Sequence, residues 1–172
     1  MELNNLTFRT ALIPSDVDLF ISFAQGTELF TEEEVGIVRE LAEDNLEKRE
    51  KSDYQFLIAG QNNDITGFTC YGRIPLTDER YDLYWILVDP LYQKQGIGTV
   101  LLTKTEEIIR LLGGQHIYIE TSSKDSYTHT RQFYERNCYK KIAILSDYYR
   151  LDDSKVMYRK TLGIVQKSTT FI

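Results

Sequence analysis

The stretch from residue 81 to residue 98 narrows the choice of folds more than any other part of the chain. Residues 81–88 are dense in aromatic and β-branched side chains, the composition of a central strand, and Pro90 forces its end. The turn Gln93-Lys94-Gln95-Gly96-Ile97-Gly98 follows. From Gly98 to Leu112 the period becomes helical, with Leu101, Ile108 and Leu112 on one face and Gly113-Gly114 as the stop. A strand, a glycine turn and an amphipathic helix in immediate succession require a helix packed on a sheet. Glycine at two positions of the turn lets backbone N–H groups point outward together. At a helix N-terminus, where the first amides lack carbonyl partners, such a nest suits a pyrophosphate, and Lys94 adds charge at its rim. A Gly-x-Gly before a helix is, by itself, often only a tight turn.

Two familiar nucleotide loops fail on the residues beyond the turn. A Walker loop needs Lys and then Ser or Thr after its last glycine, whereas Gly98 is followed by Thr99 and Val100. A dinucleotide fingerprint needs a third small residue where Leu101 stands.

The remaining elements read around this centre. Residues 6–10 alternate as a strand, and a short helix comes next with Val17, Phe20, Ile21 and Ala24 at helical spacing, Ser15 and Asp18 as a capping pair, and Gly26 as a stop. A second helix opens at Thr31 with Glu34 in the same relation and runs to about Lys48, carrying Val35, Val38, Ala42 and Leu46. Residues 54–59 and 65–73 form a hairpin, residues 116–121 a strand, residues 130–136 a helix, and residues 142–145 and 156–162 the last two strands. The order mixes an antiparallel meander with a strand-helix-strand crossover, an α/β (α+β) class with a mixed sheet. One domain over residues 1–163 is expected, with a frayed tail over 164–172.

Composition excludes several classes. No stretch approaches the roughly 20 apolar residues that span a bilayer, and Met1-Glu2-Leu3-Asn4-Asn5 lacks the form of a signal peptide, so a soluble cytoplasmic protein without a membrane partner is expected. Cys70 and Cys138, far apart and outside any CxxC spacing, fit reduced thiols, and with His116 and His129 they offer no metal site. A net charge of −6 disfavours nucleic acid as a partner.

The segment Leu83-Tyr84-Trp85-Ile86-Leu87-Val88-Asp89-Pro90 with Gln93-Lys94-Gln95-Gly96-Ile97-Gly98-Thr99-Val100-Leu101-Leu102 resembles the coenzyme motif of the GNAT superfamily of acetyl-CoA-dependent N-acetyltransferases. That motif has Gln or Arg, two residues, Gly, one residue, then Gly or Ala. Residues 116–121 and Thr130-Arg131-Gln132-Phe133-Tyr134-Glu135-Arg136 resemble the superfamily's next strand and helix. The resemblance implies a GNAT fold with six to seven strands and about four helices, in which two central parallel strands splay around the acyl-CoA. Backbone groups at Leu87 and Val88 would hold its arm, and residues Gln93, Lys94, Gln95, Gly96, Ile97, Gly98 and Thr99 its pyrophosphate.

It implies direct transfer from acetyl-CoA to a small-molecule or peptide amine, with no metal. By motif register Asp82 falls where some members carry their base, the alternative being a solvated carboxylate in the turn Asp78-Glu79-Arg80-Tyr81-Asp82. Glu120 is a second candidate, as base, acceptor ligand or capping carboxylate. Tyr134 aligns with the tyrosine that protonates the departing thiolate, the alternative being an aromatic that packs its helix. Tyr127 stands where the family commonly has Asn on the coenzyme side, and Cys138 where it commonly has Gly. His129 reads as solvated, and Tyr148 and Tyr149 as walls of the acceptor pocket or surface aromatics. Related folds often pair through their C-terminal strands, which leaves a homodimer open. An inert acyl-CoA sensor on the same fold is the competing function.

Overall fold

The computed structural model describes residues 5–163; the first four residues and the expected tail, 164–172, lie outside the described residues. The elements are β1 (Thr7–Arg9), α1 (Pro14–Gly26), α2 (Glu32–Lys48), β2 (Gln55–Gln61), β3 (Asp64–Arg73) and β4 (Arg80–Val88), then α3 (Ile97–Leu111), β5 (His116–Ser122), α4 (Thr128–Arg136), β6 (Lys140–Arg150) and β7 (Asp153–Thr161). The strands make one seven-stranded sheet in the order β1-β2-β3-β4-β5-β7-β6, with β4 and β5 parallel and the other neighbours antiparallel. This is the mixed GNAT architecture expected from the resemblance.

Strand alternation sends side chains to two cores. Leu57 and Ala59 of β2 join Leu101 and Ile109 of α3 on one face, while Phe56 and Ile58 join Phe20 and Val38 of α1 and α2 on the other. Phe20 stacks on Phe68 of β3 with ring centroids 3.8 Å apart, an aromatic contact worth about 0.5–1.5 kcal/mol beyond its buried area. In β4 the alternation changes hand. Tyr81 and Leu83 face the α3 core, but further along Ile86 and Val88 do so, and Trp85 and Leu87 turn to α1 and α2. The ladder gives the reason: Cys70 opposes Trp85 and Tyr71 opposes Leu83, so Tyr84 is an extra residue, a bulge that re-aims the rest of the strand.

Local chemistry fixes the helix starts. Thr31 caps α2 as expected, with Glu34 N donating to its Oγ1 at 3.2 Å and Thr31 N donating to Glu34 Oε2 at 2.8 Å. The expected Ser15–Asp18 cap of α1 is not formed. Pro14 occupies the first turn, so the helix begins two residues earlier, with Ile13 as its N-cap, and Asp16 reaches back to accept from Ile13 N at 2.9 Å and from both terminal Arg9 guanidinium nitrogens. The buried face of α3 also differs from the expectation. It carries Ile97, Leu101, Leu102, Thr105 and Ile109, whereas Leu112, beyond the helix's last turn, is exposed. Thr105 belongs there because its hydroxyl shares a 2.7 Å hydrogen bond with buried Thr69 of β3. Strand β6 runs well past the expected 142–145, and its polar end still pairs through Arg150 with Asp153.

Candidate active site

The parallel ladder between β4 and β5 has three residue pairs, ending at Asp82 and Tyr118. Beyond it β4 stays bonded to β3 as far as Val88, and β5 to β7 as far as Ser122. The β5-facing edge of the second half of β4, Leu87 and Val88 included, therefore has no strand partner in this sheet. An extended arm of amides laid into that opening meets backbone donors and acceptors as another strand would.

The glycine turn lies at the end of the same opening. Gly96, the N-cap of α3, has φ +87°, and Lys94 is left-handed as well at +61°. The first helical amide to bond is Val100 N, to Gly96 O at 3.1 Å, which leaves those of Ile97, Gly98 and Thr99 without intrahelical carbonyls. Gln93 Nε2 ties the loop back to Val88 O at 3.2 Å, and Gln95 Oε1 is buried without a partner among the described residues. Unpaired amides at a positive helix end, with Lys94 exposed beside them, fit an anion bearing several acceptor oxygens. A side chain grown on Gly98 would reach the Phe133 ring at 3.5 Å, so α4 sits against this turn.

Tyr134, next to Phe133 on α4, is 6% exposed among Phe133, Tyr139 and Tyr158. Burial pushes its phenol pKa upward, so the hydroxyl keeps its proton and is available as a donor. Tyr127, the N-cap of α4, gives its hydroxyl to Leu29 O at 3.2 Å, joining α4 to the connection between α1 and α2. His129 is exposed. Cys138 is exposed and takes φ +66° just after Asn137, where Tyr139 N bonds Tyr134 O and Cys138 N bonds Glu135 O. This is the glycine-type helix stop built with a cysteine.

On the α1 and α2 face of the opening the structure gathers the carboxylates. Asp82 is half-buried, and desolvation first, then the charge of Glu120, push its pKa up to about 6, with Lys155 opposing. Glu120 bonds Lys155 Nζ at 2.5 Å. Burial works against the Lys155 charge, but the hydrogen bonds to Glu120 and Tyr148 and the charge of Glu120 together outweigh it and raise its pKa. The Lys155 ammonium also lies 3.8 Å from the Tyr148 ring centroid, and Tyr149 packs edge-on to Tyr148 at 5.1 Å. Both tyrosines fall within β6 rather than after it. Trp85, Phe30 and Tyr127 continue the aromatic rim, with centroids 4.9 and 6.3 Å apart in turn. At the far end of β5, Ser122 Oγ donates to Asp153 Oδ1 at 2.5 Å.

Lys155 and Asp153 have no signature in the sequence. They arrive through the pairing of β5 with β7, from a turn and a strand start that carry no motif. A separate cavity of about 760 Å³ opens between β1, α1 and the loop after β4, but Asp16 in its wall is already tied by Arg9. Among the described residues no group of His, Cys, Asp or Glu is placed to hold a metal ion, and no helix is long and apolar enough to cross a membrane.

A splayed parallel pair facing an anion nest defines the acyl-CoA-using class of acetyltransferase. Residues 23–138 match the acetyltransferase (GNAT) family, and the chain belongs to that family. A protein assigned to the GNAT family of acetyltransferases from Desulfovibrio desulfuricans shares 37% identity and superposes with a TM-score of 0.89, over 92% of this chain and 99% of the other. The aminoglycoside 6'-N-acetyltransferase of Enterococcus faecium is similar in fold, with a TM-score of 0.71 at 22% identity over 92% and 98% of the two chains. So is the PaiA N-acetyltransferase of Thermoplasma acidophilum, solved with coenzyme A, with a TM-score of 0.70 at 18% identity over 91% and 98%. Among curated proteins none matches the sequence.

Proposed function

We propose that this acetyltransferase moves the acetyl group of acetyl-CoA directly to a primary amine, with Asp82 as the acceptor-side base. One observation carries the reading: Asp82 is the last residue of β4 paired to β5, at the mouth of the opening, with a carboxyl pKa pushed up to about 6. A base of that strength is ionised at neutral pH and matched to proton transfer there. The amides of residues 93–99 hold the pyrophosphate, and the unpaired edge at Leu87 and Val88 holds the arm of the substrate. The acceptor arrives as an ammonium and gives a proton to Asp82. Its nitrogen attacks the thioester carbonyl, a C–N bond forms and the C–S bond breaks. Of the two nitrogen protons lost overall, one appears on the CoA sulfur, delivered by the Tyr134 hydroxyl, and the other leaves through Asp82 to solvent. Glu120 and Lys155 shape the acceptor side.

That a neighbour of low identity was solved with coenzyme A supports the choice of acetyl-CoA as donor. A cytoplasmic setting suits two free thiols. The exposed edge strand β6, with Ile142, Ile144 and Leu145 at its surface, is where a second copy would pair. The test is CoA thiol release from acetyl-CoA across a panel of amines, with the N-acetyl product identified by mass. Binding of acetyl-CoA without release by any amine would contradict the proposal and point to a sensor.

A further inference from the structure

We infer that the acceptor is a primary amine with a flat apolar body and no carboxylate beside its nitrogen; this rests on the reading of Asp82 as the acceptor-side base. The cation beside the two carboxylates is already engaged, as are those around Asp153. Lys155 is held by Glu120 at 2.5 Å and by the Tyr148 ring at 3.8 Å, with its side chain only 10% exposed. Lys124 and Arg150 both lie against Asp153, at 3.4 and 3.8 Å. Arg159 lies on the same face, in the row of Asp82 and Tyr118 and one strand beyond Tyr118, but it is exposed to solvent, and Lys155 is the cation whose charge acts on Asp82.

Asp82 has neither an ion pair nor a side-chain hydrogen bond among the described residues, and Glu120 adds a second negative charge beside it. An ammonium brought to this point is attracted. The α-carboxylate of an amino acid brought with it meets two like charges, and the cation beside them, Lys155, is already held by Glu120, which is discrimination by repulsion. Around the carboxylates the walls are rings, with Tyr148 54% and Tyr149 44% exposed and Trp85 in the floor of β4. Exposed tyrosine faces favour a flat apolar body with a cationic tip, as the lodging of Lys155 over Tyr148 illustrates within the chain itself.

Two matched pairs test this: 2-phenylethylamine against L-phenylalanine, and tryptamine against L-tryptophan, by steady-state thiol release with acetyl-CoA. The amine is expected to exceed its amino acid in kcat/KM by at least about tenfold in both pairs. Replacing Glu120 by Gln frees the Lys155 ammonium for a substrate carboxylate, so Glu120→Gln should shrink that ratio at least about threefold. Turnover of the amino acids at or above the amines, or a ratio unmoved by Glu120→Gln, overturns the inference while leaving amine transfer in place. No release from any amine in the wider panel, with acetyl-CoA bound, overturns the reading beneath it instead.

Discussion

Removing one oxygen from Tyr134 separates two roles that the same ring can play. Tyr134→Phe keeps the packing against Tyr139 and Tyr158. If the hydroxyl protonates the leaving sulfur, turnover should fall about 100-fold to 10,000-fold while acetyl-CoA affinity barely changes, because the bond matters in the transition state. Steady-state kinetics beside a coenzyme titration reads both, and a rate within about twofold of wild type contradicts the role. Further along the chain, Cys138 holds φ +66° at a helix stop where glycine costs nothing. A left-handed residue with a Cβ costs about 1–2 kcal/mol, and glycine's extra freedom in the unfolded chain returns about 0.5–1. Cys138→Gly should therefore stabilise by about 0.5–1 kcal/mol, a rise of roughly 1–4 °C in Tm at this chain length, read by thermal melting. A lower Tm would show that the thiol contributes packing that outweighs the strain.

Among the elements, the turn into α3 is the one that the sequence makes most legible, because its glycines, its helix start and its motif all act within six residues. Its test is a charge. Gly96→Glu places a negative side chain at a left-handed N-cap beside the unpaired amides, and CoA affinity by calorimetry should drop at least about tenfold in a protein whose circular dichroism is unchanged. Gly96→Asn, which tolerates the left-handed conformation without charge, should retain binding. Undiminished affinity in the glutamate variant would remove the turn from the site. Other elements are legible only in outline. The capping chemistry at Thr31 is local and reads directly, whereas the α1 start depends on Pro14 displacing the cap and on Arg9, from β1, securing Asp16. The bulge at Tyr84 depends on the register with β3, and no feature of 81–88 announces it. The length of β6 is hidden for the same reason, since its polar half is a strand only because β7 lies beside it.

At the scale of the molecule, seven strands bring together residues that lie tens of positions apart. The sequence supplies Asp82 through a motif register, Tyr134 through its alignment with the family's tyrosine and Glu120 through its place near the end of the neighbouring strand, but the Lys155 bond to Glu120 and the Asp153 bond to Ser122 exist only in the folded sheet. That assembly has a pH signature. The folded chain holds the Asp82 proton more tightly than an unfolded one, so its contribution to stability is full below about pH 4 and is lost as pH rises through about 6. At neutral pH the ionised, half-buried carboxylate thus weighs against stability. The most direct test of Asp82 as the base is the pH dependence of kcat/KM for a working amine, in wild type and in Asp82→Asn. Wild type should lose activity below an apparent pKa near 6, and Asp82→Asn should fall by about 100-fold or more at neutral pH and lose that limb. The same limb in the variant, at undiminished rate, would contradict the assignment.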